Sequence, residues 1–170
     1  MKKIILSATI ILLSVTSIFA QRFAYVDTEY ILEKIPNYTN AQKQLDDMVG
    51  VWNNEIEEKY KEVKSLYSKY QAEEFLLTDE MKKKRQEEII TKEQLANNLQ
   101  EQRFGYEGDL FKKRQELIQP IQEQVYNAIE KISTNLGYDF IFDKSAGGST
   151  LLFTNSKYDL SEQVLKSIKF

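Results

Sequence analysis

The feature that constrains this chain most is a stretch of roughly a hundred residues, from Tyr38 to Leu136, rich in Glu, Lys, Gln and Leu. These residue types favour the α-helix, and Pro120 is the one proline in the stretch. A segment this polar cannot bury a compact core of its own, and few of its residues favour turns. The sequence therefore predicts long helices over most of the chain.

One turn signal lies near the middle of the stretch, in "FLLTDEMKKKR". Thr78 can cap a helix through its side-chain oxygen, and the two acidic residues that follow it suit a first helical turn. Pro36 and Pro120 each lie 42 positions from Thr78. We expect an antiparallel helical hairpin over residues 38–119 with its turn near Thr78, each helix about 60 Å long. Pro36 should end a short preceding helix, and Pro120 should kink or restart its own helix.

The first helix of this hairpin carries an apolar stripe with steps of three and four residues. Such steps place the side chains on one face, which predicts a seam against the second helix. The stripe consists of Ala41, Leu45, Met48, Trp52, Ile56, Val63, Leu66 and Tyr70, with Lys59 in the one vacant place between Ile56 and Val63.

Strand signals occur only near the two ends of the chain. Aromatic and β-branched residues predict strands over 22–27, 138–143 and 149–154, and a last helix is expected from Asp159, which can cap it. The predicted fold class is mainly α with a small β body (α+β). The body comprises residues 21–37 and 120–170, and the long hairpin projects from it as a coiled-coil-like arm.

The strands of the body carry more apolar surface than one short helix can cover. A three-stranded sheet also has edges that must be paired or covered. We therefore expect the chain to self-associate through the body, the alternative being a monomer in which the last helix covers the sheet. The residues expected at this contact are Phe23, Tyr25, Val26, Ile141, Leu151 and Phe153.

The first twenty residues are typical of a secretory signal peptide. Lys2 and Lys3 precede an apolar run, and small or apolar residues lead to Ala20. The apolar run is short for a membrane span, so cleavage after Ala20 should release a soluble exported protein. A retained membrane anchor is the alternative.

Composition argues against most catalytic chemistry. The chain has no Cys and no His, so disulfides, the commonest transition-metal ligands and the usual general base are all missing. Removal of Lys2 and Lys3 takes the formal net charge from -3 to -5, which does not suggest a nucleic-acid partner. We predict no enzyme activity, no catalytic residue, no metal and no cofactor.

Three aspartates near the predicted strand ends are the one candidate carboxylate cluster: Asp27, Asp139 and Asp143. Carboxylates of this kind can serve acid–base chemistry or hold a hard metal ion. Capping of neighbouring turns and helices is the simpler explanation, and we favour it.

Apolar residues crowd the outer end of the hairpin, where burial between two helices is limited. The candidate binding residues are Tyr67, Tyr70, Phe75, Leu76, Leu77 and Met81. Exposed apolar surface of this kind can hold many different unfolded chains. Helical spacing favours packing in the seam for Tyr60, Val63, Leu66 and Tyr70. The contiguous triplet Phe75–Leu77 cannot all enter one seam, so it favours contact with a partner.

Three glycines stand inside the predicted arm: Gly50, Gly105 and Gly108. If the hairpin folds about Thr78, facing positions sum to about 156, and Gly105 lies level with Val51 and Gly50. A glycine in a helix interior costs up to about 1 kcal/mol relative to alanine, so we predict a hinge at this level. The alternative is that the glycines make room for three bulky neighbours, Trp52, Phe104 and Tyr106. Both interpretations predict continuous helices without a loop.

Three segments together resemble the Skp (OmpH-like) family of periplasmic chaperones. They are "AYVDTEYILEKIP" at 24–36, "LIQPIQEQVYNAIEKISTNLGYDFIFD" at 117–143 and "LLFTNSKYDLSEQVLKSI" at 151–168. The resemblance covers the whole chain after the signal peptide. It rests on the order strand, short helix, long hairpin, strand, strand, helix, together with the "PI" and "GYDFIFD" motifs.

This resemblance implies a homotrimer with a jellyfish-like shape, in which three hairpins surround a cavity. It also implies an ATP-independent holdase of the periplasm that keeps unfolded outer-membrane proteins from aggregating, and the chain contains no phosphate-binding glycine loop. The alternative is an exported structural coiled-coil adaptor that binds folded envelope partners.

A lipid-binding arm is a third possibility, because better-studied family members are basic and were proposed to bind lipopolysaccharide and anionic membranes. This chain is acidic after cleavage, and acidic residues flank its dense basic run, Lys82–Arg85. We interpret that run as a solvated helix face and do not extend the lipid site to this chain.

Overall fold

The computed structural model of the chain describes residues 21–147 and 151–168, and the predicted signal peptide lies outside them. The described residues divide into two compact units, one formed by 21–31 with 125–147 and 151–168, and one formed by 32–124. Helices dominate, as predicted, and a two-stranded sheet is built from the chain ends.

The elements follow one another in a simple order. They are β1 (Phe23–Val26), α1 (Thr28–Glu33), α2 (Pro36–Glu73), α3 (Asp79–Phe104), α4 (Asp109–Leu136), β2 (Phe140–Asp143) and α5 (Ser161–Ser167), with short 3-10 turns at Glu74–Leu76 and Ser156–Tyr158.

The long hairpin consists of α2 and α3. Pro36 stands in the first turn of α2, where its missing N–H is not needed. Thr78 caps α3, because its hydroxyl oxygen accepts a hydrogen bond from the N–H of Met81 at 3.3 Å. Asp79 and Glu80 follow in the first turn, where the positive end of the helix dipole stabilises them. The predicted cap at Thr78 is confirmed.

Pairs across the hairpin follow the predicted register. Glu62 pairs with Lys92 at 2.7 Å, and the amide of Gln86 donates to the Tyr70 hydroxyl at 2.8 Å. These partners sum to 154 and 156. The predicted stripe supplies the buried side of α2, whose buried residues are Ala41, Leu45, Ile56 and Tyr70, and α3 contributes Ala96.

The chain breaks between α3 and α4, so the expectation of a continuous helix through Gly105 and Gly108 is wrong. The Gly105 N–H still bonds to the Glu101 oxygen at 2.8 Å, but its backbone is extended. Glu107 then adopts a positive φ of 56°, a left-handed conformation that cannot continue a helix. Asp109 starts the next helix, so this segment is a boundary between two helices.

Pro120 lies inside α4 without ending it, so of the two outcomes predicted there, a kink or a restart of the helix, the restart does not occur. A proline removes one backbone hydrogen bond, but Ile118 and Ile121 on either side of it are buried and hold the helix in place. The helix ends at Gly137, whose φ of 67° allows the N–H of Tyr138 to bond to the Ser133 oxygen at 3.0 Å.

In the unit formed by the chain ends, β1 and β2 pair in parallel, with Phe23 opposite Phe140 and Val26 opposite Asp143. Both strands were predicted and are confirmed. The interior of the unit contains fully buried side chains of Val26, Ile31 and Val164. The sheet, α1 and α5 therefore pack together in one small core.

The third predicted strand, over residues 149–154, is not a strand at Leu151–Thr154, and residues 149 and 150 lie outside the described part. The segment at Asp159 and Leu160 lies beside β1 instead, and the N–H of Leu160 bonds to the Tyr25 oxygen at 2.9 Å. This contact also explains why α5 begins at Ser161, two residues after the predicted start. The Asp159 carboxylate still accepts a hydrogen bond from the Ser161 N–H at 2.9 Å.

Candidate functional site

Exposed apolar side chains cover the turn of the hairpin. Phe75 is 80% exposed, Leu76 72% and Met81 49%, while Leu77 is half-buried. We call these four residues the tip patch. The 3-10 turn points its consecutive side chains in different directions, so the seam between α2 and α3 cannot receive all of them. A contiguous exposed apolar patch of this kind is typical of a binding surface.

Tyr70 does not belong to the exposed set, which corrects its inclusion among the candidate binding residues. Its side chain is 8% exposed, and its hydroxyl donates to Glu74 and accepts from Gln86. Burial, together with the hydrogen bond to Glu74, raises the pKa of the Tyr70 hydroxyl. Tyr70 therefore packs in the seam, whereas Tyr67 is half-exposed beside it.

A shallow apolar groove of about 800 Å³ runs along one side of the hairpin. We call it the side groove, and its apolar lining consists of Tyr60, Val63, Tyr67, Tyr70, Ile89 and Ile90. Polar residues line it as well, and among them are the carboxylates of Glu74 and Glu93. The Tyr60 hydroxyl donates a hydrogen bond to the side-chain amide oxygen of Asn97 on α3 at 2.6 Å.

The isoleucines of the side groove, Ile89 and Ile90, were missed in the sequence because apolar residues on α3 are sparse. Adjacent residues on a helix point about 100° apart, so one seam cannot bury both of them. Ile89 is half-buried and Ile90 is 51% exposed. An adjacent apolar pair on an otherwise polar helix was the signal that could have identified this surface.

At the helix break, Arg103 connects three helices. Its guanidinium bonds to Asp109 across the break at 2.6 Å and to Glu55 on α2 at 3.2 Å. It also lies over the Trp52 ring at 5.1 Å, and Trp52 contacts Phe104 edge to face. The hydrogen bond to Asp109 raises the pKa of Arg103, which keeps the charge in place. Arg103 was not identified as a candidate from the sequence.

The three glycines proposed as a hinge differ in their surroundings. An added Cβ at Gly50, inside α2, would meet nothing within 4 Å. At Gly105 it would overlap Glu101, and at Gly108 it would lie 2.8 Å from the Gln102 carbonyl oxygen. The nearest atoms at these two positions belong to Glu101, Gln102 and Gly105 and not to a bulky side chain, so they do not support the idea that the glycines make room for bulky neighbours. Tyr106 is 93% exposed and does not join Trp52 and Phe104.

One face of the small sheet is aromatic and exposed. Phe23 stacks on Phe140 with ring centroids 5.4 Å apart, and Phe142 lies 6.1 Å from Phe23. We call these three rings, with Leu151 and Phe153, the sheet face. It borders a groove of about 590 Å³. The other residues expected at the body contact lie inward, since Tyr25 and Val26 are buried and Ile141 is half-buried.

A family model described as "Outer membrane protein (OmpH-like)" matches residues 22–168 of the chain. The chain belongs to the OmpH-like family. Members of this family are chaperones and not enzymes. The resemblance found in the sequence is thus confirmed at the level of the family.

A solved structure agrees with this OmpH-like assignment in fold. It is the crystal structure from Caulobacter crescentus CB15 of a protein named as a candidate outer membrane chaperone (OmpH-like). The two chains are 9% identical, and the match covers 86% of this chain and 83% of the other with a TM-score of 0.66. No curated protein matches this OmpH-like chain.

The aspartates of the OmpH-like body serve its backbone, as the capping interpretation predicted. Asp27 caps α1 by accepting from the Tyr30 N–H at 3.0 Å, and Asp139 accepts from the Arg22 N–H at 2.8 Å. Asp143 accepts from Thr28 and Ser145. Burial alone would raise its pKa, but these hydrogen bonds outweigh burial and hold the pKa of Asp143 below its ordinary value. Each carboxylate therefore has a structural role.

The basic run of the OmpH-like hairpin lies on the exposed surface of α3, as predicted for a solvated face. Lys83 pairs with Glu87 at 4.0 Å and Arg85 with Glu88 at 3.4 Å, both within the same helix.

Over residues 21–147 and 151–168, no helix has both the length and the apolar composition that a bilayer crossing requires.

Proposed function

We propose that this OmpH-like protein is an ATP-independent holdase of the periplasm. In this proposal it binds unfolded outer-membrane β-barrel proteins and prevents their aggregation before they insert into the membrane. The observation that carries the proposal is the tip patch, in which Phe75 and Leu76 are 80% and 72% exposed at the end of the helical hairpin. A member of a chaperone family with such a surface has the property that holding requires.

The proposed mechanism rests on weak and distributed apolar contact. Transmembrane β-strands carry an apolar face, which is exposed in water before insertion. Burial of this face against Phe75, Leu76 and Met81 gains roughly 25 cal/mol for each Å² of apolar surface removed from water. Because apolar contact requires no fixed pocket, one patch can serve many clients. Release by competition needs no nucleotide.

We further propose that the sheet face drives assembly into a homotrimer whose hairpins surround the client. Three stacked or adjacent rings, Phe23, Phe140 and Phe142, stand 44–49% exposed in the single chain, and Phe153 is 84% exposed. Several hairpins in one particle raise the effective concentration of tip patches, so weak contacts add. Light scattering of the purified mature chain tests this point, and a mass of one protomer would contradict it.

We also propose that the break between α3 and α4 acts as the hinge that sets how far the hairpin opens. Arg103 holds the break through Asp109 and ties it to Glu55 on α2. Glycines at 105 and 108 permit a backbone path that an added Cβ would obstruct. In this proposal Gly50 contributes by lowering the helical stability of α2 at the same level.

The decisive experiment replaces Phe75, Leu76 and Leu77 by Ser and measures light scattering from a urea-unfolded β-barrel protein after dilution, without ATP. We expect suppression of aggregation to fall severalfold while the particle mass stays unchanged. The matched control carries Ser at three other exposed apolar positions, Val51, Leu95 and Tyr126, which are 65%, 55% and 68% exposed.

Unchanged suppression by the triple variant at an intact particle mass would contradict the proposed role of the tip patch. No suppression by the wild-type protein, together with binding to a folded envelope protein, would favour the adaptor alternative. The measured stoichiometry adds a further test, since a cavity predicts one client for each trimer. Flotation with anionic vesicles would instead indicate a lipid-binding arm.

A further inference from the structure

We infer that the side groove binds an extended peptide segment of about six residues, in which apolar side chains alternate with polar ones and basic side chains stand at the ends. This inference rests on the proposed holdase function and adds a sequence preference to it. The groove shares no residue with the tip patch, because its lining lies on α2 and α3, with Glu74 at the start of the turn.

The length of the groove sets the length of the segment. Its lining extends along α2 and the turn from Tyr60 to Glu74. At 1.5 Å per residue these fourteen steps correspond to about 21 Å along the hairpin. An extended chain advances about 3.3 Å per residue, so roughly six residues fit. A helical segment of the same length would need about fourteen residues and a wider groove.

The apolar lining favours a segment with one apolar face. Tyr67 and Ile90 are each 51% exposed, and Val63 and Ile89 are half-buried between them and the seam. Successive side chains of an extended segment point to opposite sides, so every second side chain can contact this lining. The remaining side chains point to solvent and can be polar. Strands of transmembrane β-barrels have this alternating pattern.

The charges of the groove favour basic side chains in the bound segment. Its lining includes two carboxylates, Glu74 and Glu93, and one ammonium group, Lys64. Neither carboxylate forms an ion pair within the described part of the hairpin. In the hairpin register Glu93 lies level with Val63, near one end of the groove, and Glu74 lies at the other. Lysine or arginine near each end of the segment therefore complements both carboxylates.

The test uses the full mature protein and two labelled six-residue peptides that share the same four central residues, Val, Ser, Leu and Ser. One peptide carries Lys at both ends and the other carries Glu, and fluorescence anisotropy gives each Kd. We expect the Lys peptide to bind more tightly by about two- to fivefold for each carboxylate engaged, the range typical of exposed charge pairs. Equal Kd values for the two peptides would overturn the inference.

Two variants locate the binding. Glu93→Gln should reduce the preference for the Lys peptide about two- to fivefold, because it removes an attraction to Lys and a repulsion of Glu. The control Glu130→Gln changes an exposed glutamate of α4 and should leave both Kd values unchanged. Ile90→Ser should weaken both peptides about three- to tenfold through lost apolar contact. Its control is Leu95→Ser, at a similarly exposed position of α3 outside the groove lining.

The outcomes separate this inference from the proposed function. Suppression of client aggregation without any peptide preference would refute the groove assignment and leave the holdase proposal standing. A clear peptide preference without suppression would support the groove and contradict the holdase proposal. If Ile90→Ser instead lowers the particle mass in light scattering, the groove packs against a second copy of the chain, and the assignment to a client segment is overturned.

Discussion

Substitution by alanine should stabilise the protein at Gly50 and destabilise it at Gly105 and Gly108. Gly50 lies in the exposed interior of α2, and an added Cβ there would meet nothing within 4 Å. Gly50→Ala therefore removes the conformational cost of glycine in a helix without adding a clash, which should stabilise the protein by about 1 kcal/mol. For a chain of this size that corresponds to a rise in Tm of about 2–4 °C.

The glycines of the break should behave differently, because the Cβ of alanine would meet backbone atoms. At Gly105 it would overlap the carbonyl oxygen of Glu101, and at Gly108 it would approach the oxygens of Gln102 and Gly105 at 2.8 and 3.0 Å. Backbone atoms cannot move aside as a flexible side chain can. Relief of such overlap requires a shift of the break, at a cost on the order of 1–3 kcal/mol for each substitution.

Thermal unfolding followed by circular dichroism tests both statements at one fixed protomer concentration, because the Tm of an associating protein depends on concentration. Gly50→Ala should melt above the wild-type protein, and Gly105→Ala and Gly108→Ala should melt below it. Equal stabilisation by all three substitutions would mean that the helix runs continuously through the break. That result would contradict the break between α3 and α4 at residues 105–108.

Three further predictions concern stability. Ile31→Ala should lower the free energy of unfolding, measured by urea titration, by about 2–5 kcal/mol because Ile31 is fully buried. Ile31→Val should lower it by only about 0.5–1.5 kcal/mol, and equal effects of the two substitutions would contradict tight packing. Glu107→Gly should raise the Tm, since glycine adopts the positive φ of 56° without the strain of about 1–2 kcal/mol that other residues carry. An unchanged Tm would argue against that backbone conformation at Glu107. The depressed pKa of Asp143 contributes stability above its unfolded-state value near 3.8, and this share is lost as the pH falls through the lower folded-state pKa. Asp143→Asn should therefore show a smaller loss of Tm below about pH 4 than the wild-type protein, and parallel profiles would refute the assignment.

Local signals were sufficient to predict the hairpin. The apolar stripe repeats at helical spacing, and Thr78 is followed by two acidic residues that suit a first turn. Both signals act within one or two turns of helix, so they do not depend on the rest of the fold. The register followed from the position of the turn alone, and the pairs Glu62–Lys92 and Tyr70–Gln86 confirm it.

Features set by contacts between distant residues could not be predicted in the same way. Residues 149–154 have a composition typical of a strand, but Leu160 already occupies the free edge of β1 at Tyr25. Good helix formers surround the break between α3 and α4, so propensity favoured continuity. The ion pairs of Arg103 with Asp109 and Glu55 hold the observed geometry instead. Likewise, neighbours that are buried by tertiary packing keep α4 intact through Pro120.

The parallel pairing of β1 and β2 has a consequence for how this architecture can vary. Two parallel strands require a crossover connection, and here that connection consists of the helices α1 to α4, which include the hairpin. The strand register, with Phe23 opposite Phe140, is fixed by residues at the two ends of the crossover. Matched insertions of whole helical turns in α2 and α3 would lengthen the hairpin and leave that register unchanged. Reach is thus a property that evolution or design can alter in this protein while the sheet keeps its sequence.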